Sequence, residues 1–275
     1  MDFHEVVEAI KKLHIQGASA IAKKGIMAFA EYVNNGKDYE KDLEYAKAEL
    51  FKARSTEPML FNGINYLIKH AKSKKDLIPL AQKLIKQKEE SEEKISKLGA
   101  DLIKNGMTIF THCHSSSVIR IFKKAKEQGK NFSVVCFETR PLFQGRVTAK
   151  ELTELGIRTT LTIDSGMTEA FEEFPPKLVF VGCDALTKTY FVNKIGTDTL
   201  ANISKKHKVP FYVCGETFKF TDNLRIEYRN SSEIWDNPPK NLNIWNPAFD
   251  TTSVELVTGF LTEDGIKKVV TCSNW

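Results

Sequence analysis

The feature that most narrows the fold is a change of hydrophobic period near residue 105. Before it, apolar residues recur three and four apart. Val6, Val7, Ile10 and Leu13 share one helix face, and Ile21, Ala22, Met27, Ala28 and Phe29 share another. Asn34-Asn35-Gly36 breaks the pattern, Leu43, Ala46, Leu50 and Phe51 resume it, and Pro58 interrupts before Leu60, Ile64, Leu67 and Ile68. Leu77, Leu80, Leu84, Ile95, Leu98 and Leu102 mark one long amphipathic helix ending near Asn105-Gly106, whose lysines and glutamates read as a solvated face. From residue 107, short β-rich runs alternate with helical segments: Met107–Phe110, Phe132–Phe137, Arg158–Ile163, Leu178–Val181 and Phe211–Cys214. That alternation predicts an α/β fold, with a mostly parallel sheet covered by helices on both faces. The expected boundary follows the change of period, with a helical N-terminal domain over 1–105 and a Rossmann-like catalytic domain over 106–275.

Each of the strand-like runs ends in polar residues. The first stops in Thr111-His112-Cys113-His114-Ser115-Ser116-Ser117, the second in Glu138-Thr139-Arg140-Pro141, followed by Phe143-Gln144-Gly145-Arg146. The others stop in Asp164-Ser165-Gly166, Gly182-Cys183-Asp184 and Gly215-Glu216-Thr217-Phe218-Lys219. In a parallel sheet all of these reach one edge, where α/β folds bind their ligands. Cys113 is the leading nucleophile or base, since a helix N-terminus and nearby cations lower a thiol pKa; the plainer reading is an inert buried thiol. Asp184, at the end of an apolar run, reads as a general acid with a raised pKa or as a helix N-cap. Ser115 to Ser117 read as a phosphate cradle or a helix cap. Arg140, Arg146, Lys194 and Lys219 are candidate phosphate contacts. Asn193-Lys194-Ile195-Gly196-Thr197 opens a helix, another anion-friendly turn. His112 and His114 do not suit zinc, because neighbours on an extended chain point opposite ways and no second ligand pair has finger-like spacing.

Composition bounds the partners. The 275-residue chain is 41% apolar with a net charge of +5, too mild for a nucleic-acid binder. No apolar run is long enough to span a bilayer, and Met1-Asp2-Phe3-His4-Glu5 is not a signal peptide. The five cysteines form no CxxC pair, and four lie in or at the ends of apolar runs, as expected for reduced thiols of a cytoplasmic protein.

Taken together, Thr111-His112-Cys113-His114-Ser115, Glu138-Thr139-Arg140-Pro141 with Gln144-Gly145, Gly182-Cys183-Asp184, Asn193-Lys194-Ile195-Gly196-Thr197, Glu216-Thr217-Phe218-Lys219-Phe220 and Trp245-Asn246-Pro247-Ala248-Phe249-Asp250 resemble, in order, the motifs of the sugar-phosphate isomerases related to initiation factor 2B regulatory subunits. The resemblance covers nearly the whole chain. It implies Cys113 and Asp184 as the catalytic pair, and Gln16, Gly17, Ala18, Arg54, Ser115, Arg140, Asn193, Lys194 and Lys219 as substrate-binding positions. The activity it implies is isomerisation of ribose 1,5-bisphosphate to ribulose 1,5-bisphosphate in AMP salvage, by an enediol or a hydride-shift route, with no metal or cofactor. It also implies a homodimer, or a hexamer built from dimers, paired through the α/β part, and allows a nucleotide effector. The alternatives within the family are methylthioribose-1-phosphate isomerase and a non-catalytic regulatory subunit. The former usually has Asn where this chain has His114, and the latter often lacks the cysteine and aspartate. The chain departs from the family pattern at Gln16 in place of Arg, at Ser55 in place of Pro, at Cys183 in place of Ala, and in the bulkier Lys188-Thr189-Tyr190-Phe191 turn.

Overall fold

A computed structural model of the chain describes residues 1–15, 17–54, 56–222 and 227–268. The helical half consists of α1 (Phe3–Lys11), α2 (Ala18–Asn35), α3 (Tyr39–Ala53), α4 (Pro58–His70) and α5 (Leu77–Leu102). The starts of these helices follow local chemistry. Asp2 and Glu5 form a reciprocal capping box on α1, the Asp38 carboxylate accepts the Lys41 amide at the head of α3, and Pro58 opens α4, where its missing N–H costs nothing. Ile21, Phe29, Val33, Leu50, Leu60, Ile64 and Leu67 bury one common core, to which the first half of α5 adds Leu77, Ala81 and Leu84.

The second half alternates strand and helix as the sequence predicts. Its elements are β1 (Thr108–His112), α6 (Ser116–Glu127), β2 (Ser133–Phe137), α7 (Gln144–Glu154), β3 (Arg158–Thr162), α8 (Met167–Glu173), β4 (Leu178–Gly182), β5 (Ala185–Leu186), β6 (Tyr190–Lys194), α9 (Thr197–Lys206), β7 (Phe211–Cys214), β8 (Phe249–Ser253), β9 (Gly259–Thr262) and β10 (Gly265–Lys267). The main sheet has seven strands in the order β10-β9-β7-β4-β1-β2-β3, parallel except where β10 runs back along β9. One face packs Ile109, Val134 and Phe180 against Ile121 and Phe122 of α6 and Ile95 and Ala100 of α5. The other packs Phe110, Val179, Val213 and Phe260 against Phe171 of α8 and Leu200 of α9. Thus α5 joins the two halves, one end in each core.

The structure makes two additions to the predicted architecture, and β6 and β8 of the second line the site. β9 and β10 extend the sheet beyond the five runs read from the sequence, and β5, β6 and β8 form a separate antiparallel sheet. The chain order reverses at β1. From there β2 and β3 build outward on one side and β4 and β7 on the other. A crevice opens beyond the carboxyl ends of β1 and β4, the position where open α/β sheets bind ligands.

Candidate active site

The crevice is a pocket of about 830 Å³, counting open water at its mouth, a volume in the range of small-molecule sites. Its walls bring together residues far apart in sequence. Cys113 to Ser117 come from the end of β1 and the start of α6, and Gly182 to Asp184 from the end of β4. Asn193 and Lys194 come from β6, Lys219 from the turn after β7, Arg54 from the end of α3, and Gly17 to Ser19 from the start of α2. Every expected catalytic and binding position among the described residues lies here except Arg140 and Arg146; Arg146 pairs with Glu138 at 2.9 Å and lies over the Phe143 ring. The Arg140 guanidinium donates to the carbonyl of Ile234 and lies over the Phe143 ring, outside the residues that line the pocket. Gln16 lies outside the described residues, as does Ser55.

Cys113 sits half-buried with a left-handed backbone at φ +67°, a conformation side-chain-bearing residues adopt only when neighbours impose it. Here the Cys113 amide donates to the Thr139 hydroxyl at 3.1 Å, and the Thr148 hydroxyl donates to the Cys113 carbonyl at 2.9 Å. With its own proton given to that carbonyl, the Thr148 hydroxyl accepts from Nδ1 of His114 at 3.1 Å. The expected lowering of the thiol pKa does not occur. Burial pushes the Cys113 thiol up to about 11, outweighing Lys194 and the His114 amide, while Asp184 and Asp164 push the same way as burial. A helix start cannot hold a thiolate in a wall this poorly solvated, so Cys113 is a neutral thiol at neutral pH.

Asp184 is followed by β5 rather than a helix, which removes the capping explanation. Burial raises its pKa, and Lys219, Lys194 and Arg54 oppose that rise. Ser115 occupies the N-cap position of α6, but its side chain makes no capping bond. Its hydroxyl instead lies where Gly182 permits close approach, since a Cβ on Gly182 would come within 2.4 Å of Ser115 Oγ. The first-turn amides of Ser116 and Ser117, which no helix can satisfy internally, are left at the pocket wall.

The cations are held by their neighbours in and around the pocket wall. Lys219 donates to the Cys183 carbonyl at 2.8 Å and pairs with Glu216 at 3.4 Å. Lys194 lies 4.6 Å from the centre of the Phe249 ring. Arg54 pairs with Glu227 at 3.1 Å, and its buried Nε has no hydrogen-bond partner among the described residues. Asn193 is pinned by its amide donating to the Thr197 hydroxyl at 3.0 Å. His112 is a buried neutral imidazole beneath the site. Burial holds its pKa down, and its Nε2 donates to the Ile195 carbonyl at 2.8 Å. It therefore braces the Asn193–Gly196 turn, in which Gly196 takes φ +100°. Among the described residues, no group of three or more His, Cys, Asp or Glu could hold a metal ion, and no helix is long and apolar enough to cross a membrane.

Sequence reasoning missed Arg229, Glu57 and the pair Lys88–Glu92. Arg229 lines the pocket, bonded to Glu227 at 2.7 Å and Glu233 at 3.0 Å. Glu57, just before α4, is 1% exposed, and burial beside Asp184 raises its pKa to about 8. Lys88 and Glu92 of α5 contradict the reading of that helix's charges as a solvated face: Glu92 is buried and Lys88 nearly so. The period-3.6 pattern does mark their face of α5, but only tertiary contacts reveal what covers it.

The model of the initiation factor 2 subunit family matches residues 14–269. The chain belongs to that family. Four archaeal ribose 1,5-bisphosphate isomerases match 95% of the chain at 33–36% identity. The one from Archaeoglobus fulgidus is 34% identical, with 88% of its length covered. A methylthioribose-1-phosphate isomerase of Pelotomaculum thermopropionicum is 32% identical over 97% of the chain and 83% of its own length. Among solved structures, the Pyrococcus horikoshii OT3 translation initiation factor eIF-2B superposes with a TM-score of 0.86 at 31% identity, over 96% of each chain.

Proposed function

We propose that the protein is an aldose–ketose isomerase that converts ribose 1,5-bisphosphate to ribulose 1,5-bisphosphate in the cytoplasm, as a step of AMP salvage. The observation that carries this reading is the meeting of Cys113 and Asp184 on one wall of a pocket ringed by Arg54, Lys194, Lys219 and Arg229. These cations suit a phosphorylated substrate, Arg54, Arg229 and Lys219 sharing their charge with Glu227, Glu233 and Glu216. The archaeal relatives named ribose 1,5-bisphosphate isomerase support ribose 1,5-bisphosphate as that substrate. The free thiols of Cys113, Cys136, Cys183 and Cys214 accord with a reducing compartment.

In this reading Asp184, its pKa raised, gives its proton to the ring oxygen as the bond from that oxygen to C1 breaks. The C2 hydrogen then leaves by one of two routes. In the enediol route a Cys113 thiolate takes it as a proton, C1 gains a proton from the resulting thiol, and the Asp184 carboxylate takes the proton of the C2 hydroxyl as the C2 carbonyl forms. In the hydride route it moves with its electron pair to C1, and the Asp184 carboxylate takes the proton of the C2 hydroxyl. A thiol neutral up to about 11 is weakly basic at neutral pH, which favours the second route. Substrate deuterated at C2 decides: label kept at C1 of the product marks hydride transfer, and label lost to water marks the enediol.

The assembly proposed is a homodimer, or a hexamer built from dimers, paired through the α/β half. The exposed Val147 of α7 and Leu161 of β3 on one edge of the sheet, with the adjoining Leu142 and Ile163, support that surface. The primary test follows ribulose 1,5-bisphosphate formation by the wild type, Cys113→Ser and Asp184→Asn. Loss of at least 100-fold is expected in Asp184→Asn by either route, and in Cys113→Ser where the C2 hydrogen leaves as a proton. A wild type inert on both ribose 1,5-bisphosphate and methylthioribose 1-phosphate would refute catalysis, and turnover surviving both substitutions would refute the residue roles.

A further inference from the structure

Two walls of the pocket, one from each half of the chain, are tied together by a buried row of alternating charge. Ser19, on the α2 wall, donates from its hydroxyl to Glu92 at 2.7 Å. Lys88 donates to both Ser19 and Glu92. The same ammonium pairs with Glu216 at 3.3 Å, and the other oxygen of Glu216 pairs with Lys219 at 3.4 Å. Arg120 closes the outer end on Glu92 at 3.3 Å. Glu92, Glu216 and Lys219 are each at least nine-tenths buried.

The two lysines play different parts. Lys88 donates to Ser19 and Glu92, neither of which is substrate, and faces Glu216 as an ion pair without a hydrogen bond. Lys219 donates to the Cys183 carbonyl, faces Glu216 in the same way and lines the pocket. Lys88 is not among the residues that line the pocket, yet it sets the position of the wall carrying Gly17-Ala18-Ser19 and, through Glu216, of the cation opposite.

We propose that Lys88 is a positioning residue that couples the Ser19 wall to Lys219, so that the two hold the substrate's phosphate groups as one clamp. This rests on the proposed sugar-phosphate function, but the coupling can be tested without turnover. If one lysine holds both walls, removing it should weaken anion binding more than it slows the chemical step, and another cation of similar reach should restore it. Loss of Ser19 alone should weaken the same binding from the far side.

The experiment compares the full-length wild type with Lys88→Met, Lys88→Arg and Ser19→Ala. Two readouts are used: the rise of Tm with added inorganic phosphate, and KM and kcat with ribose 1,5-bisphosphate. The expected result is a half-saturating phosphate concentration and a KM each raised at least tenfold in Lys88→Met, with kcat within about threefold of wild type. Lys88→Arg should return both to within about threefold, and Ser19→Ala should raise both severalfold. Should Lys88→Met not fold, Lys88→Arg and Ser19→Ala decide. Unchanged phosphate binding in a folded Lys88→Met, or in Ser19→Ala, overturns the coupling. A wild type that binds phosphate without turning over the bisphosphate overturns the proposed function instead, and leaves the phosphate titration to judge Lys88.

Discussion

Replacing Glu57 with glutamine should make the protein more stable at pH 8 and leave it nearly unchanged at pH 5. Glu57 is 1% exposed, one of its oxygens has no hydrogen-bond partner among the described residues, and Asp184 and Glu216 add negative charge around it. Burial is the largest cause of its rise from 4.5 to about 8, with Lys219 and Arg54 opposing. Between those values the folded chain holds a proton that the unfolded chain has lost. The stabilisation is complete below the unfolded value and disappears as the pH climbs through about 8. At about 1.4 kcal/mol per pH unit, this one group removes on the order of 3 kcal/mol between pH 5 and pH 8. Glutamine has the shape of the protonated acid and does not titrate. Urea unfolding of wild type and Glu57→Gln at both pH values measures the difference. Coincidence within about 1 kcal/mol at pH 5 and a gain of about 2–4 kcal/mol at pH 8 are expected. A wild-type-to-variant difference that does not change with pH would refute the assignment of a buried proton to Glu57.

Three further outcomes follow from the geometry. Cys113, neutral up to about 11, should react with iodoacetamide slowly at pH 7 and about tenfold faster per pH unit above it, followed by mass spectrometry of its peptide; fast, pH-independent labelling would contradict a neutral thiol. Gly182→Ala would drive a methyl to 2.4 Å from Ser115 Oγ, and should cost at least tenfold in kcat/KM and about 1–3 kcal/mol in stability. The Asp250 carboxylate accepts the amides of Gly196 at 2.8 Å and Asp198 at 3.1 Å. Asp250→Ala should orphan both, lower stability by about 1–3 kcal/mol in thermal unfolding and raise KM, because the turn bearing Lys194 loses its anchor.

What the sequence reveals about this protein depends on how local the cause is. The strands and helices of the α/β half are legible because each follows from a run of neighbouring side chains, and Cys113 and Asp184 because they end such runs. β5, with two residues, and β8, rich in threonine, leave no comparable pattern, since they are held by pairing with β6. Lys88 and Glu92 sit i, i+4 on a helix and look like any surface pair. What buries them, Ser19, Glu216 and Arg120, comes from three other places in the chain. Arg229 is invisible for the same reason. The direction of the Cys113 shift failed differently. The motif reveals the helix start that lowers a thiol pKa but not the depth of burial that raises it, and in this pocket burial is the larger effect.

The protons in the site also bear on how substrate prepares it. Burial raises Asp184, and three cations, Lys219, Lys194 and Arg54, restrain that rise. All three line the pocket that would receive the phosphates. A bound phosphate pairs with the same cations and brings its own negative charge, so their restraint on Asp184 is cancelled as the substrate settles. The carboxyl then holds its proton more tightly in the complex than in the free enzyme, which is the state an acid needs before it protonates the ring oxygen. The basic limb of kcat should therefore lie above the basic limb of kcat/KM, since the first reports the complex and the second the free enzyme. A separation of about one pH unit or more is expected, because replacing nearby positive charge by negative moves a carboxyl by that order. If the two limbs coincide, or if Asp184→Asn keeps both, the acid is some other group, and the cations around Asp184 serve binding alone.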